Sequence, residues 1–285
     1  MVAIVTPFKK GRLDEKAFTD LIEAQIAGGT SAVVPCGTTG ESATLTHEEH
    51  RRVIELAIQA SRGRIPVIAG TGSNSTAEAI SLTLHAQKAG ADAALLICPY
   101  YNRPTQEGLY RHFAAVAEAV TIPLILYNIP GRTGVNMLPP TVARLAELPN
   151  IAGIKESSGS LQQISEVIRL CGGRLSVLSG DDALTLPILS LGGRGVISVA
   201  ANLLPGDCAE MVSAALKNDW EKARRLHFRL SPLFDVLFIE TNPTPVKAAL
   251  DLMGRISGEV RLPLSPMSKD SLTKLKTVLK DYNLI

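Results

Sequence analysis

The stretch Ile151–Gly159 reads IAGIKESSG: a short apolar run with the look of an interior strand, ending on a lysine, Lys155. Lysine is rarely fully buried because its ammonium is strongly hydrated. Two readings stay open for the run taken alone. Lys155 marks the point where a strand meets solvent, snorkelling to water or pairing with Glu156. Alternatively it is a desolvated amine held for chemistry, since desolvation favours the neutral form that attacks a ketone to give a Schiff base.

The neighbouring sequence decides what kind of strand this is. Comparable runs recur at Val2–Val5, Ala32–Pro35, Val67–Ala69, Ala94–Cys98, Leu124–Tyr127, Ala152–Lys155, Leu175–Leu178 and Val196–Val199. Runs apolar on both faces are the mark of parallel strands covered by helices. Between them lie segments of helical period, such as Ala17-Leu21-Ile22-Ile26 and Val53-Ile54-Leu56-Ala57. Several are closed by glycine, at Gly28-Gly29, Gly90 and Gly172-Gly173. The order is strand then helix, eight times, with no consensus within the unit that would make it a solenoid. The pattern predicts an α/β fold, a (β/α)8 TIM barrel over residues 1–217, with a doubly wound open sheet as the competing architecture. Helical patterns around Trp220–Ile239, Pro245–Met253 and Lys269–Tyr282 exceed what one barrel helix needs and predict an additional C-terminal helical bundle over 218–285.

Charge and cysteine content narrow the function. Lys and Arg number 29 against 27 Asp and Glu, a formal net charge of +2, which gives no electrostatic case for a nucleic-acid or membrane surface. A small-molecule pocket fits better. Cys36, Cys98, Cys171 and Cys208 are widely spaced with no CxxC pair, the pattern of free thiols in a reducing cytoplasm. MVAIVTPFKK is too short for a signal-peptide core, and no run approaches the roughly 18 apolar residues of a membrane span. The chain starts almost directly on its first strand, so a few leading residues are expected to be missing.

In a barrel the chemistry sits on the loops that follow the strands. Here they read CGTTGES (36–42), GTGSN (70–74), PYYNRP (99–104), YNIPGRTG (127–134), KESSG (155–159), SGDD (179–182) and SVAAN (198–202). Tyr127 ends the strand before Lys155, where its phenol either shuttles a proton for the amine or is an ordinary rim aromatic. Tyr100-Tyr101 is a second pair, catalytic or simply packed. Gly37-Thr38-Thr39-Gly40 offers two hydroxyls and backbone N–H groups suited to a carboxylate, or is a plain glycine-rich turn. Thr46-His47-Glu48-Glu49 is a capping box opening the next helix. Arg132 can hold a carboxylate bidentately or is a solvated loop arginine. His47 and His50 share a helix turn, but HEEH is not the HExxH order of a zinc site, and no metal is expected. Gly192-Gly193-Arg194-Gly195 precedes the eighth strand and faces the wrong end for a phosphate. No nucleotide motif occurs.

Taken together, GTTGES, VIAGTGSN (67–74), PYYNRPTQEGLYRHF (99–113), YNIPGRTG, GIKESSG (153–159), LSGDD (178–182), NPTPVKAAL (242–250) and RLPLSP (261–266) resemble the dihydrodipicolinate synthase family, in family order from the first strand to the C-terminal helices. The resemblance implies a pyruvate-dependent class I aldolase that condenses pyruvate with L-aspartate 4-semialdehyde in the diaminopimelate route to lysine. It implies no cofactor beyond the covalent Schiff base. It would make Lys155 the Schiff-base lysine and Tyr127 the proton-transferring phenol, linked through Thr39 to Tyr101 of a neighbouring subunit. Thr38 and Thr39 would cradle the pyruvate carboxylate, Arg132 would bind the semialdehyde carboxylate, and Gly180 and Ile197 would line the pocket. Ser42, Ala43, His47, His50, Asn74, Glu78 and Tyr100 match the site at which inhibited members bind L-lysine, and the assembly implied is a homotetramer, a dimer of dimers. Cys36 departs from the small apolar residue usual there, and a structural role is expected for it.

Within the same resemblance, sialic acid (N-acetylneuraminate) lyases and keto-deoxy-sugar aldolases share the lysine and the YNIP tyrosine. Arg132 discriminates, because a guanidinium suits a carboxylate partner and a polyol does not require one. A non-catalytic barrel binding a small keto acid would keep the cradle but has no reason to hold both Lys155 and Tyr127.

Overall fold

The computed structural model describes residues 1–285. In chain order its elements are β1 (Val2–Ala3), β2 (Phe8–Lys9), β3 (Arg12–Leu13), α1 (Glu15–Ala27), β4 (Val33–Val34), α2 (His47–Ser61), β5 (Ile68–Gly70), α3 (Thr76–Ala89), β6 (Ala93–Ile97), α4 (Gln106–Ala119), β7 (Leu124–Asn128), α5 (Pro130–Thr133), α6 (Pro139–Leu145), β8 (Ile151–Glu156), α7 (Leu161–Cys171), β9 (Ser176–Ser179), α8 (Thr185–Ser190), β10 (Gly195–Val196), α9 (Pro205–Leu216), α10 (Trp220–Val236), α11 (Thr244–Leu252) and α12 (Lys269–Asp281). The eight expected strand runs are all strands, and every pairing among them is parallel. This is an α/β fold of parallel strands alternating with helices, with further helices at the C-terminal end.

The chain divides into two compact units, Met1–Ile65 with Ser198–Ile285, and Pro66–Ile197. That division follows contacts and runs elsewhere than the sequence boundary between 217 and 218.

In the 66–197 unit, β5 to β10 form one six-stranded sheet in sequence order. Side chains alternate between the two faces of a strand. One face carries Ala94, Leu96, Leu124, Leu126, Ile154 and Val177, all buried against Leu109, Phe113 and Val116 of α4 and Ile164 and Val167 of α7. Each such Leu, Ile or Val contributes about 1.5–3 kcal/mol on burial. The helices start where the sequence supplies caps: the hydroxyls of Ser75, Thr105 and Ser160 accept the N–H groups of Glu78, Gly108 and Gln163. Gly90 and Gly172 close α3 and α7 in left-handed conformation.

In the other unit β1 pairs with β4, and Val2 bridges Ser198. The carboxamide of Asn202 locks this arrangement, accepting from the Val5 N–H at 3.2 Å and donating to the Ala3 and Val199 carbonyls, both at 2.9 Å. The capping box at Thr46 and Glu49 forms as expected. β2 and β3 are a hairpin whose two central residues, Lys10 and Gly11, both have positive φ, the geometry that matches strand twist. Its Phe8 ring lies under Lys247 Nζ at 4.3 Å and Arg261 Cζ at 4.1 Å. Lys247, in α11, is fully buried and pairs with the fully buried Glu41, while also donating to the Thr6 carbonyl at 3.0 Å. Burial pulls the Lys247 ammonium below its ordinary pKa, opposed chiefly by the Glu41 charge.

Removing one member of a buried ion pair strands the other. Lys247→Met is therefore expected to lower stability by about 3–5 kcal/mol, and adding Glu41→Gln to recover a substantial part of it. Urea unfolding followed by circular dichroism checks both, and equal losses for the single and double variants would contradict the pairing.

Candidate active site

The register between β7 and β8 sets Tyr127 directly beside Lys155, and that between β8 and β9 sets Lys155 beside Leu178. Alternation carries both polar residues onto the face opposite the helix-packed core. Both are 5% exposed, and Lys155 Nζ lies over the Tyr127 ring, 4.1 Å from its centroid. The Lys155 stem crosses Gly180, where a Cβ would overlap Ser157 Oγ and approach Lys155 Cε to 2.9 Å. Only glycine leaves the lysine its path. Ile197 follows Val196, which pairs with Ser179, and so comes alongside Gly180 with its own N–H donating to the Ser179 carbonyl at 2.9 Å.

Glu156 sits on the other face, so it does not pair with Lys155. Its carboxylate is fully buried and accepts from Asn128 Nδ2 at 3.2 Å, the Ser158 N–H at 2.7 Å and Gln163 Nε2 at 3.4 Å. Burial raises its pKa above the usual carboxylate value, with these donors acting against the rise. The strand-end lysine is thus neither solvated nor ion-paired with its neighbour.

Arg132 lies exposed near the end of α5, a one-turn helix begun by Pro130 and closed by Gly134 at positive φ. In PYYNRP, Tyr100 is 38% and Tyr101 89% exposed, and Tyr101 holds φ +70°. A left-handed backbone is uncommon for an aromatic residue. The loop is tied to the preceding one by Asn102 Nδ2, which donates to the Asn74 carbonyl at 2.8 Å. Asn74 and Glu78 are half-buried, and the Glu78 carboxylate accepts from Ser73 Oγ.

The remaining predicted residues belong to the other unit. Thr39 is 2% exposed, and its hydroxyl oxygen accepts from Asn242 Nδ2 at 3.0 Å; Thr38 is half-buried. The N–H groups of Gly40 and Ser42 turn back to the Gly37 carbonyl and that of Glu41 to Thr38. The carboxylate cradle read from GTTG is therefore narrower than its sequence suggests, resting on the two threonines. Gly40 lies close against the backbone, where a Cβ would come 3.0 Å from the Cys36 nitrogen and 3.2 Å from the Ile4 carbonyl oxygen, tighter than ordinary contact. Ser42 and Ala43 open a short 3-10 helix, half-buried and exposed respectively. His47 is exposed and His50 buried. Burial pushes the Cys36 thiol up, and its Sγ donates to the His50 carbonyl at 3.5 Å, a structural contact.

Sequence reading missed Asn242, Glu41 and Lys247. The only hints were an acidic residue closing GTTGE and a lysine within the apolar run PVKAAL, and neither announces a partner some 200 residues away.

The model of the "Dihydrodipicolinate synthetase family" matches residues 1–282. The chain is 65% identical over 285 residues to the 4-hydroxy-tetrahydrodipicolinate synthase of Syntrophus aciditrophicus, covering 100% of this chain and 98% of that protein. Among solved structures, the chloride-inhibited dihydrodipicolinate synthase from Acinetobacter baumannii complexed with pyruvate superposes with a TM-score of 0.98 at 49% identity, covering 100% of this chain and 98% of that one. The enzyme from Cyanidioschyzon merolae with lysine bound gives 0.97 at 43% identity, over 100% and 97%.

Crowding at residue 180 yields a direct test. Gly180→Ala should slow trapping of Lys155 by a small carbonyl compound and borohydride by about 10²-fold, the usual consequence of a displacement near 1 Å. Adding Ser157→Gly should restore part of the rate. An unchanged trapping rate in Gly180→Ala would show that the lysine does not depend on this gap.

Proposed function

The chain belongs to the dihydrodipicolinate synthetase family, and from that premise we propose which of its residues act. Its activity is that of a 4-hydroxy-tetrahydrodipicolinate synthase, a lyase that condenses pyruvate with L-aspartate 4-semialdehyde through a Schiff base on the diaminopimelate route to lysine. The observation that carries the residue assignment is the buried Lys155 amine stacked on the Tyr127 ring.

Lys155 attacks the pyruvate ketone, and loss of water leaves an imine. The imine draws electrons from the methyl carbon, a proton departs, and the resulting enamine attacks the aldehyde carbon of the second substrate. The substrate amine then displaces Lys155 and closes the ring. Each of these steps moves a proton, and Tyr127 is the phenol placed to take and return it. Thr39 passes that proton on to Tyr101, and Thr38 with Thr39 holds the pyruvate carboxylate. Arg132 binds the semialdehyde carboxylate, for which a guanidinium is the fitting partner. Gly180 and Ile197 shape the pocket wall.

Tyr101 supports an assembly of several copies. An aromatic ring 89% exposed on a left-handed residue is explained if it enters the site of a second copy. The assembly proposed is a homotetramer, a dimer of dimers, and the proposed location is the cytoplasm. L-lysine is the proposed inhibitor, bound by Ser42, Ala43, His47, His50, Asn74, Glu78 and Tyr100, with Glu78 facing its ammonium.

Borohydride added with pyruvate should fix a reduced pyruvyl group on Lys155, read by mass spectrometry of the peptide. An unlabelled Lys155 would sink the assignment. Tyr127→Phe should lower kcat by about 10²–10³-fold, as loss of a general acid–base group does. Saturating L-lysine should inhibit partially, and Glu78→Ala should weaken that inhibition about tenfold or more, as a charge-assisted contact is lost.

A further inference from the structure

We propose that Asn242 is a positioning residue for the reaction, fixing the direction in which the Thr39 hydroxyl gives its proton. The proposal rests on the reading above, in which Thr39 relays a proton. A threonine hydroxyl has one hydrogen to donate and two lone pairs to accept with. Asn242 Nδ2 is a donor only, and it occupies one lone pair at 3.0 Å. The Thr39 hydrogen must then point away from Asn242, and the second lone pair stays open to an incoming donor. That is the polarity a relay needs, with one proton in and one out.

Asn242 is itself held to the loop that it orients. It is 4% exposed and stands just before α11, whose Lys247 is anchored on the Glu41 carboxylate and the Thr6 carbonyl. Glu41 also accepts from the Arg261 N–H at 3.1 Å, and Thr6 Oγ1 donates to the Gly40 carbonyl at 2.7 Å. Three consecutive residues, Thr39, Gly40 and Glu41, are thus fixed by side chain, carbonyl and carboxylate. The helix that follows the asparagine and the loop that carries the hydroxyl are tied to each other beside the Asn242–Thr39 contact.

A double-mutant cycle in kcat tests this with Asn242→Ala, Thr39→Val and the two combined. Each single variant should lose about tenfold or more in kcat, with the double no worse than the poorer single, because groups acting as one unit are non-additive. In Asn242→Ala the KM for pyruvate should move less than kcat, because Asn242 is not a contact of the pyruvate carboxylate. If Asn242→Ala does not fold by circular dichroism, Asn242→Leu takes its place in the same cycle, keeping the shape and removing the donor. A kcat within about twofold of the parent, or losses that multiply in the double variant, overturns the proposal. Borohydride trapping on Lys155 of the unmodified protein is run alongside. Its failure would overturn the Schiff-base reading itself, whereas normal trapping with an additive cycle overturns only the role of Asn242.

Discussion

Side-chain alternation along Ile151–Glu156 separates two adjacent charged residues into environments with nothing in common. Glu156 enters a closed set of donors among the helices, where its hydrogen bonds are internal. Lys155 goes to the opposite face, beside Tyr127 and across Gly180. A one-residue slip in the β7–β8 register would exchange the two and leave an amine among amide donors. The core of Leu126, Ile154 and Val177 resists that slip, since it would turn those side chains away from α4 and α7. Ordinary hydrophobic packing therefore holds Lys155 in place.

A second kind of constraint acts in the unit formed by the two ends of the chain. There the loop bearing Thr38 and Thr39 is secured by polar contacts rather than apolar ones. Burying an ion pair costs desolvation that the pair's own attraction only partly offsets. What it adds here is geometry, because Lys247 reaches a carbonyl and a carboxylate with one ammonium and stacks on Phe8 as well. Hydrogen bonds have direction, and a loop expected to handle protons needs that more than it needs adhesion.

The sequence made much of this legible, and the gaps have identifiable causes. Parallel strands covered on both faces write themselves as uninterrupted apolar runs, so all eight were found, although the pairing ladders of β1, β4 and β10 proved shorter than the runs. Caps such as Thr46 and closing glycines such as Gly90 are local signals, and they were read correctly. The hairpin at Phe8–Leu13 and the short helices Pro130–Thr133 and Pro139–Leu145 were missed, being too brief to show a period. Lys155 and Tyr127 stood out because polarity at the end of an apolar run is anomalous. Asn242, Glu41 and Lys247 did not stand out, because a buried polar group is explained only by its partner, and partners far apart in sequence leave no spacing to read. The pairing of Lys155 with Glu156, plausible from adjacency, was excluded once the strand's two faces were distinguished.

The separation between these partners bears on how the protein comes into being. Lys247 meets Glu41 across 206 residues and Asn242 meets Thr39 across 203. Translation proceeds at about 5–20 residues per second, so the threonine loop leaves the ribosome long before the groups that orient it exist. Throughout that interval Glu41 lacks the Lys247 ammonium that pairs with it in the folded protein. The contacts that hold the Thr39 loop thus exist only in chains completed as far as α11, and a product that ends earlier carries that loop without Asn242 or Lys247.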